Sequence, residues 1–307
     1  LLDKMPLITR IARLILVGMA VWHLYVAFVG PPNPYIMRGV HVALALLLIF
    51  LTVDRKGLRN DVPSWYDVVI GLIAASAALY PSFNLNYITQ RFLYVDPLMP
   101  MDIVVGITLV VLLLEATRRM LGPMLPITAL LFLGYGLAFT STLPSVILEQ
   151  LFMTPEGIFG IPIAVSATYM VLFILFGSLV ERMGVGQLFM DFAVALTGRQ
   201  VGGPAKVACV TSGLFGSVSG SAVANVMTTG TFSIPLMKRM GFKPAFAGAV
   251  EAVASTGGQI MPPVMGAAAF VMAEYLGVGY LTVAKYALAP AILFYVALFA
   301  AVHFEAK

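Results

Sequence analysis

The chain has 307 residues, of which 60% are hydrophobic and only 10% are charged, and its mean hydropathy is +0.97. These values exclude an ordinary soluble domain and are typical of an all-α polytopic membrane protein embedded in the lipid bilayer. The formal net charge of +4 does not indicate a nucleic-acid partner, because most basic residues stand in short loops and no basic tract carries interleaved aromatic residues. The single cysteine, Cys209, excludes an internal disulfide framework and a cysteine metal cluster. We expect it to pack inside the protein.

The first 119 residues contain four apolar segments that we predict to be membrane spans, at about residues 11–29, 40–53, 68–83 and 103–114. Basic residues stand at three of the segment ends, and they are Lys4, Arg10 and Arg13 before the first segment, Arg55, Lys56 and Arg59 after the second, and Arg118 and Arg119 after the fourth. The positive-inside rule places these ends in the cytoplasm. Residues 1–119 are therefore predicted to form a four-helix unit with both termini, including the N-terminus of the chain, on the cytoplasmic side.

Several aromatic and histidine side chains in this unit are possible sites. We expect Trp22, Trp65 and Tyr66 to be interfacial or packing residues, which is the usual role of such side chains in membrane proteins. His23 and His41 do not have the spacing of metal ligands. We expect their hydrogen bonds to be satisfied inside the helical bundle.

The middle of the chain begins with a boundary, GPMLP at residues 122–126, followed by an apolar span to about residue 147. Residues 149–162 contain two acids and no Lys or Arg, which favours an external loop with a short surface helix. Residues 163–180 are predicted to cross back to the cytoplasm. Residues 184–197 form a short amphipathic pattern, typical of a helix that lies along the membrane interface.

A segment without Asp, Glu, Lys or Arg follows, at residues 207–237. Cationic residues flank both ends, and they are Arg199 and Lys206 before it and Lys238, Arg239 and Lys243 after it. Both ends are thus predicted to be cytoplasmic, which indicates a re-entrant hairpin at about residues 204–239. Each arm of about 15 residues reaches roughly 22 Å, less than the ~30 Å apolar core of a bilayer. The tip, Ser219, Gly220 and Ser221, is expected near the membrane midplane.

The next crossing, at about residues 244–277, is interrupted by GGQIMPP at residues 257–263. Two glycines and two prolines cannot continue a regular helix, so the pattern predicts a broken helix. A face of small residues precedes the break, formed by Ala245, Ala249, Ala252 and Thr256. We expect this face to pack against the hairpin. A last span is predicted at about residues 281–302.

A hairpin tip and a broken helix are the features from which secondary transporters build midplane sites. The side-chain oxygens and freed carbonyls that are candidates for binding an ion or substrate belong to Ser219, Gly220, Ser221, Asn225, Gly257, Gly258, Gln259 and Pro262. Hydroxyl and carbonyl oxygens suit Na⁺, with Ser219, Ser221 and Gly258 as the predicted sodium ligands. In the alternative interpretation, these serines and glycines only allow tight packing.

Two acids lie in the same crossing. Glu251 is predicted about eight residues inside the membrane from Lys243, and an acid at that depth can relay protons or bind a cation. A purely structural, hydrogen-bonded role for Glu251 stays open beside that of a proton or cation site. Glu274 is expected to be interfacial.

The sequence resembles a known family most clearly between residues 213 and 266. The runs that carry the resemblance are GSVSGSAVA at 216–224, IPLM at 234–237, MGF at 240–242, the segment 247–254 and GQIMPP at 258–263. They resemble the large membrane subunit of tripartite ATP-independent periplasmic (TRAP) transporters. The four-helix unit is similar in size and position to the small membrane subunit, fused in one chain as in the TAXI-associated branch.

This resemblance implies an elevator-type, Na⁺-driven importer of an organic acid in the inner membrane of a bacterium or archaeon. It also implies a TAXI-type periplasmic binding protein as the partner that delivers substrate, and no cofactor beyond the coupling ion. Residues 1–119 would be the small-subunit-like unit, and residues 120–307 the first half of an inverted repeat in the large subunit. By this resemblance, Gly258, Pro262 and Pro263 form the break that faces the hairpin tip. Val264 stands where a serine is common in the family, and Glu251 where many relatives are neutral.

Two other interpretations are open. One is a dicarboxylate or ion carrier that is independent of a binding protein or is coupled to protons. The other is an intramembrane serine hydrolase that uses Ser219 or Ser221, although neither residue lies in a G-x-S-x-G motif. We expect that the chain is not an enzyme. Because it starts with Leu and has one hairpin, we also expect it to be a piece of a longer chain that does not transport alone.

Overall fold

A computed structural model describes residues 7–58 and 62–307 of the chain. It divides into two compact units, Leu1–Thr168 and Tyr169–Lys307. Within these described residues, six helices are long and apolar enough to cross a membrane: Thr9–Val29, Pro34–Thr52, Trp65–Phe83, Pro100–Leu121, Ile161–Arg182 and Tyr280–Glu305. The prediction of an all-α polytopic membrane protein is confirmed. The basic residues Lys4 and Arg59, used to predict topology, lie outside the described residues.

The first unit contains eight described α-helices: α1 (Leu7–Val29), α2 (Pro34–Thr52), α3 (Trp65–Phe83), α4 (Leu85–Gln90), α5 (Pro100–Leu121), α6 (Met124–Phe139), α7 (Pro144–Phe152) and α8 (Ile161–Val165). The four predicted spans correspond to α1, α2, α3 and α5. A proline occupies the first turn of both α2 and α5, where a missing N–H costs nothing. These helices therefore begin before the apolar patterns do.

Small side chains allow α2 and α3 to approach each other closely. Ala74 and Ala78 of α3 are fully buried, as is Phe50 of α2. Phe152 and Phe159 are also 0% exposed and belong to the same hydrophobic cluster. The segment that follows α7 therefore completes the core of the first unit.

Two predictions for the middle of the chain were wrong in detail. The apolar span expected to reach residue 147 ends at Phe139, because the polar residues that follow stop α6 and Pro144 starts a separate helix. The segment 149–162 is largely buried where a surface loop was expected. Glu149 is only 3% exposed, and its carboxyl oxygen lies 3.1 Å from a guanidinium nitrogen of Arg91.

Two buried histidines of the first unit contact each other and further hydrogen-bonding groups. His23 and His41 are 1% and 6% exposed, and their rings are joined by an Nε2 to Nδ1 contact of 3.0 Å. The chain of contacts continues at one end to the Met19 carbonyl at 2.6 Å and at the other to the Ser166 hydroxyl at 2.9 Å. The prediction that both histidines are satisfied inside the bundle is confirmed.

An ion pair joins α3 to α5 at the end of the bundle that carries the basic residues. Arg119 donates to Asp67 at 2.8 Å, with side chains only 1% and 3% exposed. The same guanidinium donates to Glu115 at 2.9 Å and to the Val53 carbonyl at 3.1 Å. Such a buried cation is tolerated because its donors are occupied.

The second unit contains α9 (Val171–Arg182), α10 (Val185–Thr197), α11 (Gly203–Ser219), α12 (Ala222–Arg239), α13 (Pro244–Gly257), α14 (Ala267–Leu276) and α15 (Tyr280–Glu305). A 3₁₀ turn, Gly258–Ile260, follows α13. The amphipathic segment predicted at 184–197 is helical as α10. Cys209 is 1% exposed within an apolar cluster, so its predicted packing role is confirmed.

One packing prediction was wrong for α13. The small-residue face of Ala245, Ala249, Ala252 and Thr256 is exposed. The opposite face is buried and includes Ala247, Val250, Glu251, Ala254 and Ser255. Hydroxyl groups on the neighbouring helices bind the carboxyl group of Glu251, and this interaction turns the polar face inward.

The compact first unit extends to Thr168, beyond the predicted domain boundary at residues 119 and 120. Contacts such as the hydrogen bond from the Tyr35 hydroxyl to the Met153 carbonyl, 2.9 Å long, tie α7 and its following turn to the earlier helices. A subunit boundary based on ancestry does not have to coincide with a packing boundary. The division into a small-subunit-like unit and a transport unit stays a prediction.

Candidate functional site

Two helices joined by a tight turn form the hairpin. α11 has 17 residues and ends at Ser219, and α12 has 18 residues and begins at Ala222. Gly220 has a φ of 64°, a left-handed conformation that glycine adopts without steric cost. Ser221 caps α12, because its side-chain oxygen accepts a hydrogen bond from the amide of Ala224 at 3.3 Å. The tip thus lies at the predicted residues, and its depth in the membrane stays a prediction.

The hairpin and the break after α13 are in direct backbone contact. A Cβ on Gly216 would lie 2.3 Å from the Cα of Gly258, and one on Gly220 would lie 2.0 Å from the carbonyl oxygen of Met265. The amide of Val264 donates to the carbonyl of Ser217 at 3.1 Å. The glycines in the sequence pattern are therefore needed for close approach of two interrupted helices.

The break itself runs from the 3₁₀ turn to the start of α14. Its two sides are joined by a hydrogen bond of 2.7 Å from the amide of Gly266 to the carbonyl of Gln259. The hydroxyl of Tyr280 donates to the carbonyl of Pro263 at 2.8 Å and also contacts that of Val264. Pro262 and Pro263 thus lie in an irregular segment that faces the hairpin, as predicted. The carbonyls of Gln259, Pro263 and Val264 already have a donor, and that of Gly258 accepts from the amide of Met261 at 3.2 Å.

The predicted site residues differ in accessibility. Ser221 is exposed and Ser219 is half-buried, and their only recorded mutual contact is a long one, 3.4 Å from the Ser221 amide to the Ser219 hydroxyl. Both hydroxyls are therefore available to a ligand. Gln259 is exposed and lines a cavity between α14 and α15. Gly257 is buried against the ring of Phe294, so it has a packing role.

Asn225 does not reach the tip. It is 0% exposed, and its amide nitrogen donates to the carbonyl of Ser212 at 2.8 Å, deeper in the first arm of the hairpin. Its amide oxygen lies 3.1 Å from the hydroxyl of Thr229. The structure therefore places Asn225 between the arms, next to the contact of Gly216 with Gly258.

A cluster of hydroxyl groups surrounds the carboxyl group of Glu251. Oε1 lies 2.5 Å from Thr229 Oγ1, 3.0 Å from Ser255 Oγ and 3.1 Å from Ser212 Oγ, and Oε2 contacts Ser233 Oγ. All five side chains are 0% to 2% exposed. We call this group the Glu251 cage. It joins α11, α12 and α13.

The four hydroxyl residues of the Glu251 cage were not among the predicted site residues. A sequence signal does exist, since Thr229 and Ser233 are four residues apart, as are Glu251 and Ser255. This spacing places each pair on one face of its helix. It does not show that three different helices bring these faces together.

The helices, the hairpin and the break define a polytopic membrane protein with interrupted helices in its second unit. Comparison with known families identifies the family. Residues 108–307 match the model described as "Tripartite ATP-independent periplasmic transporter, DctM component". The match covers most of the chain, which belongs to this family of transporter permeases. Members of this family are not enzymes. The protein is therefore a multi-pass protein of the inner membrane.

Curated relatives carry corresponding names. The chain is 34% identical over 112 residues to the C4-dicarboxylate TRAP transporter large permease protein DctM of Pseudomonas aeruginosa, a match that covers 36% of this chain and 26% of the relative. It is 32% identical over 91 residues to the sialic acid TRAP transporter large permease protein SiaM of Vibrio cholerae, covering 30% and 21%. It is 26% identical over 242 residues to the isethionate TRAP transporter permease protein DctMQ of Oleidesulfovibrio alaskensis, covering 75% and 32%.

These matches cover only part of each relative. The chain matches between about a fifth and a third of the length of the three permeases. No solved structure gives a significant match.

Proposed function

We propose that the permease to which this chain belongs is a secondary transporter that imports an organic acid in symport with Na⁺. A periplasmic binding protein of the TAXI type would deliver the substrate. Family membership supports the class of transporter. The names of the three relatives specify a C4-dicarboxylate, sialic acid and isethionate, which are all organic acids.

The observation that carries the proposal is the direct contact of the hairpin tip with the broken helix. Gly220 packs on the carbonyl of Met265 so closely that a Cβ would lie 2.0 Å from that oxygen. Interrupted helices expose carbonyl oxygens for a cation and amide groups for an anion, and membranes tolerate such backbone only where it is buried or lines a cavity. The contact supports a site in which ligands for Na⁺ lie next to a positive helix end that favours a carboxylate.

In this proposal, Ser219 and Ser221 supply hydroxyl oxygens for Na⁺, and Gly258 supplies a carbonyl oxygen. The amino end of α12, capped by Ser221, faces the same region and favours the negative charge of the substrate. The elevator motion, the inverted second half and the sodium stoichiometry are properties of the complete permease in this proposal.

The test is substrate uptake into proteoliposomes that contain the full permease, with its binding protein outside and an imposed Na⁺ gradient. We expect uptake to need both the gradient and the binding protein. The double variant Ser219→Ala with Ser221→Ala should raise the Na⁺ concentration for half-maximal uptake roughly a hundredfold, since each of the two ligands to a charged group contributes about 1.5 kcal/mol.

Ser217→Ala is the matched control, because the Ser217 hydroxyl donates within its own helix to the carbonyl of Leu214 at 2.7 Å. It should leave the dependence on Na⁺ unchanged. Uptake without the binding protein would favour an independent carrier, and uptake driven by a proton gradient with no need for Na⁺ would contradict the sodium site.

A further inference from the structure

The charge of Glu251 has no cationic partner in the part of the chain that the structure describes. Its recorded hydrogen bonds all involve hydroxyl groups, and it is in no ion pair there. Ionisable side chains on packed helices that interact electrostatically with it include Cys209 of α11 and Tyr295 of α15. Both are acids that are uncharged when protonated, so neither offsets a negative charge.

Cations on the packed helices are engaged elsewhere, lie at helix ends or, like Lys285 of α15, are exposed. The Lys206 ammonium group donates to Gln200 at 3.1 Å and lies 3.2 Å from the ring nitrogen of His303. Lys238 and Arg239 are exposed in the last turn of α12. A fully buried carboxylate without a countercharge is costly, and such a group commonly takes up a proton instead.

The oxygen spacing of the Glu251 cage fits a proton better than a metal cation. The contacts of 2.5 to 3.1 Å to Oε1, and the 3.2 Å between the Ser212 and Thr229 hydroxyls, are hydrogen-bond distances. A cation bound at about 2.4 Å separates neighbouring ligand oxygens by about 3.4 Å when they lie at right angles. The oxygen atoms of the Glu251 cage therefore have the separations of a hydrogen-bonded group, shorter than those of a cation site.

Hydroxyl groups suit both states of the carboxyl group. A hydroxyl donates one hydrogen bond and accepts others, so it can donate to a carboxylate or accept from a carboxylic acid. With the proton on Oε2, the carboxyl group donates to Ser233, while Oε1 still accepts from the hydroxyls of Thr229 and Ser255. A change of protonation then needs only rotation of hydroxyl groups.

We propose that the Glu251 cage is a proton-binding site, separate from the sodium site at the hairpin tip. One proton on the carboxyl group keeps the cage neutral while both arms of the hairpin are packed on α13. Loss of that proton leaves an uncompensated charge among the three helices and favours their separation. Proton binding at Glu251 is thus coupled to the packing of the hairpin against the broken helix.

The test is infrared difference spectroscopy of the full purified permease at neutral pH. A protonated carboxyl group gives a C=O stretching band that shifts in D₂O. We expect this band in the wild-type permease and its loss in Glu251→Gln. Glu274→Gln, which changes an exposed acid of α14, is the matched control and should retain the band.

A second pair of variants keeps the test valid if Glu251→Gln does not fold. Ser255→Ala removes one donor to Oε1 and should move the band to higher frequency. Thr256→Val should leave it in place, because the exposed Thr256 hydroxyl bonds to the Ala252 carbonyl at 2.7 Å. A band at the same frequency in Ser255→Ala, or one that persists in Glu251→Gln, would overturn the assignment.

Addition of Na⁺ at constant pH distinguishes proton binding by Glu251 from Na⁺ binding at the same site. We expect the band to remain, and its disappearance would mean that Na⁺ displaces the proton and that the site is not specific for protons. The spectrum requires no transport, so it decides the proposal even if the proposed symport fails.

Discussion

At the residue scale, glycine determines how closely the hairpin and the broken helix approach. Gly216 and Gly258 are in contact through their backbones, and Gly220 turns the chain in a left-handed conformation. The sequence predicted Gly220 and Gly258 as part of a site, whereas Gly216 entered only through the run that carries the family resemblance. It did not predict that Gly257 would pack against an aromatic ring, because that ring belongs to α15.

The first prediction compares two helical glycines. Gly216→Ala should lower the melting temperature of the full permease and destabilise it by about 1–3 kcal/mol, because its Cβ would lie 2.3 Å from the Cα of Gly258. Gly248→Ala is the control, since no atom lies within 4 Å of its Cβ position. That change should stabilise α13 by roughly 0.5–1 kcal/mol. Equal melting temperatures for the two variants would show that the close contact is not maintained in the membrane.

Asn225 and Glu251 show that local sequence patterns do not identify the tertiary partners of a buried polar side chain. Asn225 was predicted among the residues that bind an ion or substrate, yet its amide bonds to Ser212 between the arms. Glu251 was left open between a structural and a functional role. Its hydroxyl partners lie up to 39 positions away in the chain, so local spacing could not identify them.

At the element scale, each helix pair is held by a different kind of contact. α2 and α3 pack through alanines, whereas α3 and α5 are also joined by the buried pair of Asp67 and Arg119. α11, α12 and α13 meet at the Glu251 cage. Removal of one member of a buried polar pair leaves the other unsatisfied, so these contacts restrict how the helices can pack.

The second prediction tests the pair between α3 and α5. Asp67→Asn should destabilise the permease by about 3 kcal/mol, because it leaves the Arg119 guanidinium buried with less countercharge. Thermal unfolding in detergent would measure the change. Arg118→Ala is the control, since this arginine forms a partly exposed pair with Glu115 and such pairs contribute less than about 1 kcal/mol. A loss of similar size in both variants would contradict the special role of the buried pair.

At the scale of the whole molecule, the topology in the membrane rests on the distribution of basic residues. The two units are compact, and each contains at least one apolar helix long enough to cross a bilayer. The prediction places the loop after α2 and the loop after the hairpin in the cytoplasm, and the segments after α4 and α7 outside.

The third prediction tests this topology with single cysteines in the full permease after Cys209→Ala. Lys56→Cys and Lys243→Cys should react with an impermeant maleimide only in inverted vesicles. Val95→Cys and Glu156→Cys should react in intact cells. All four positions are exposed, so accessibility depends on the side of the membrane. Labelling of position 243 in intact cells would exclude a hairpin with both ends in the cytoplasm.

The sequence by itself determined the membrane class, the positions of most spans and the two interruptions in the second unit. These features follow from local properties, because apolar length sets a span, charges flank it, and a cluster of Gly and Pro such as residues 257–263 interrupts a helix. The tertiary structure decided which face of α13 is buried, where Asn225 points and which hydroxyls bind Glu251. It also placed Phe152 and Phe159 in the core of the first unit. These depend on residues distant in the chain, whose positions no local pattern specifies.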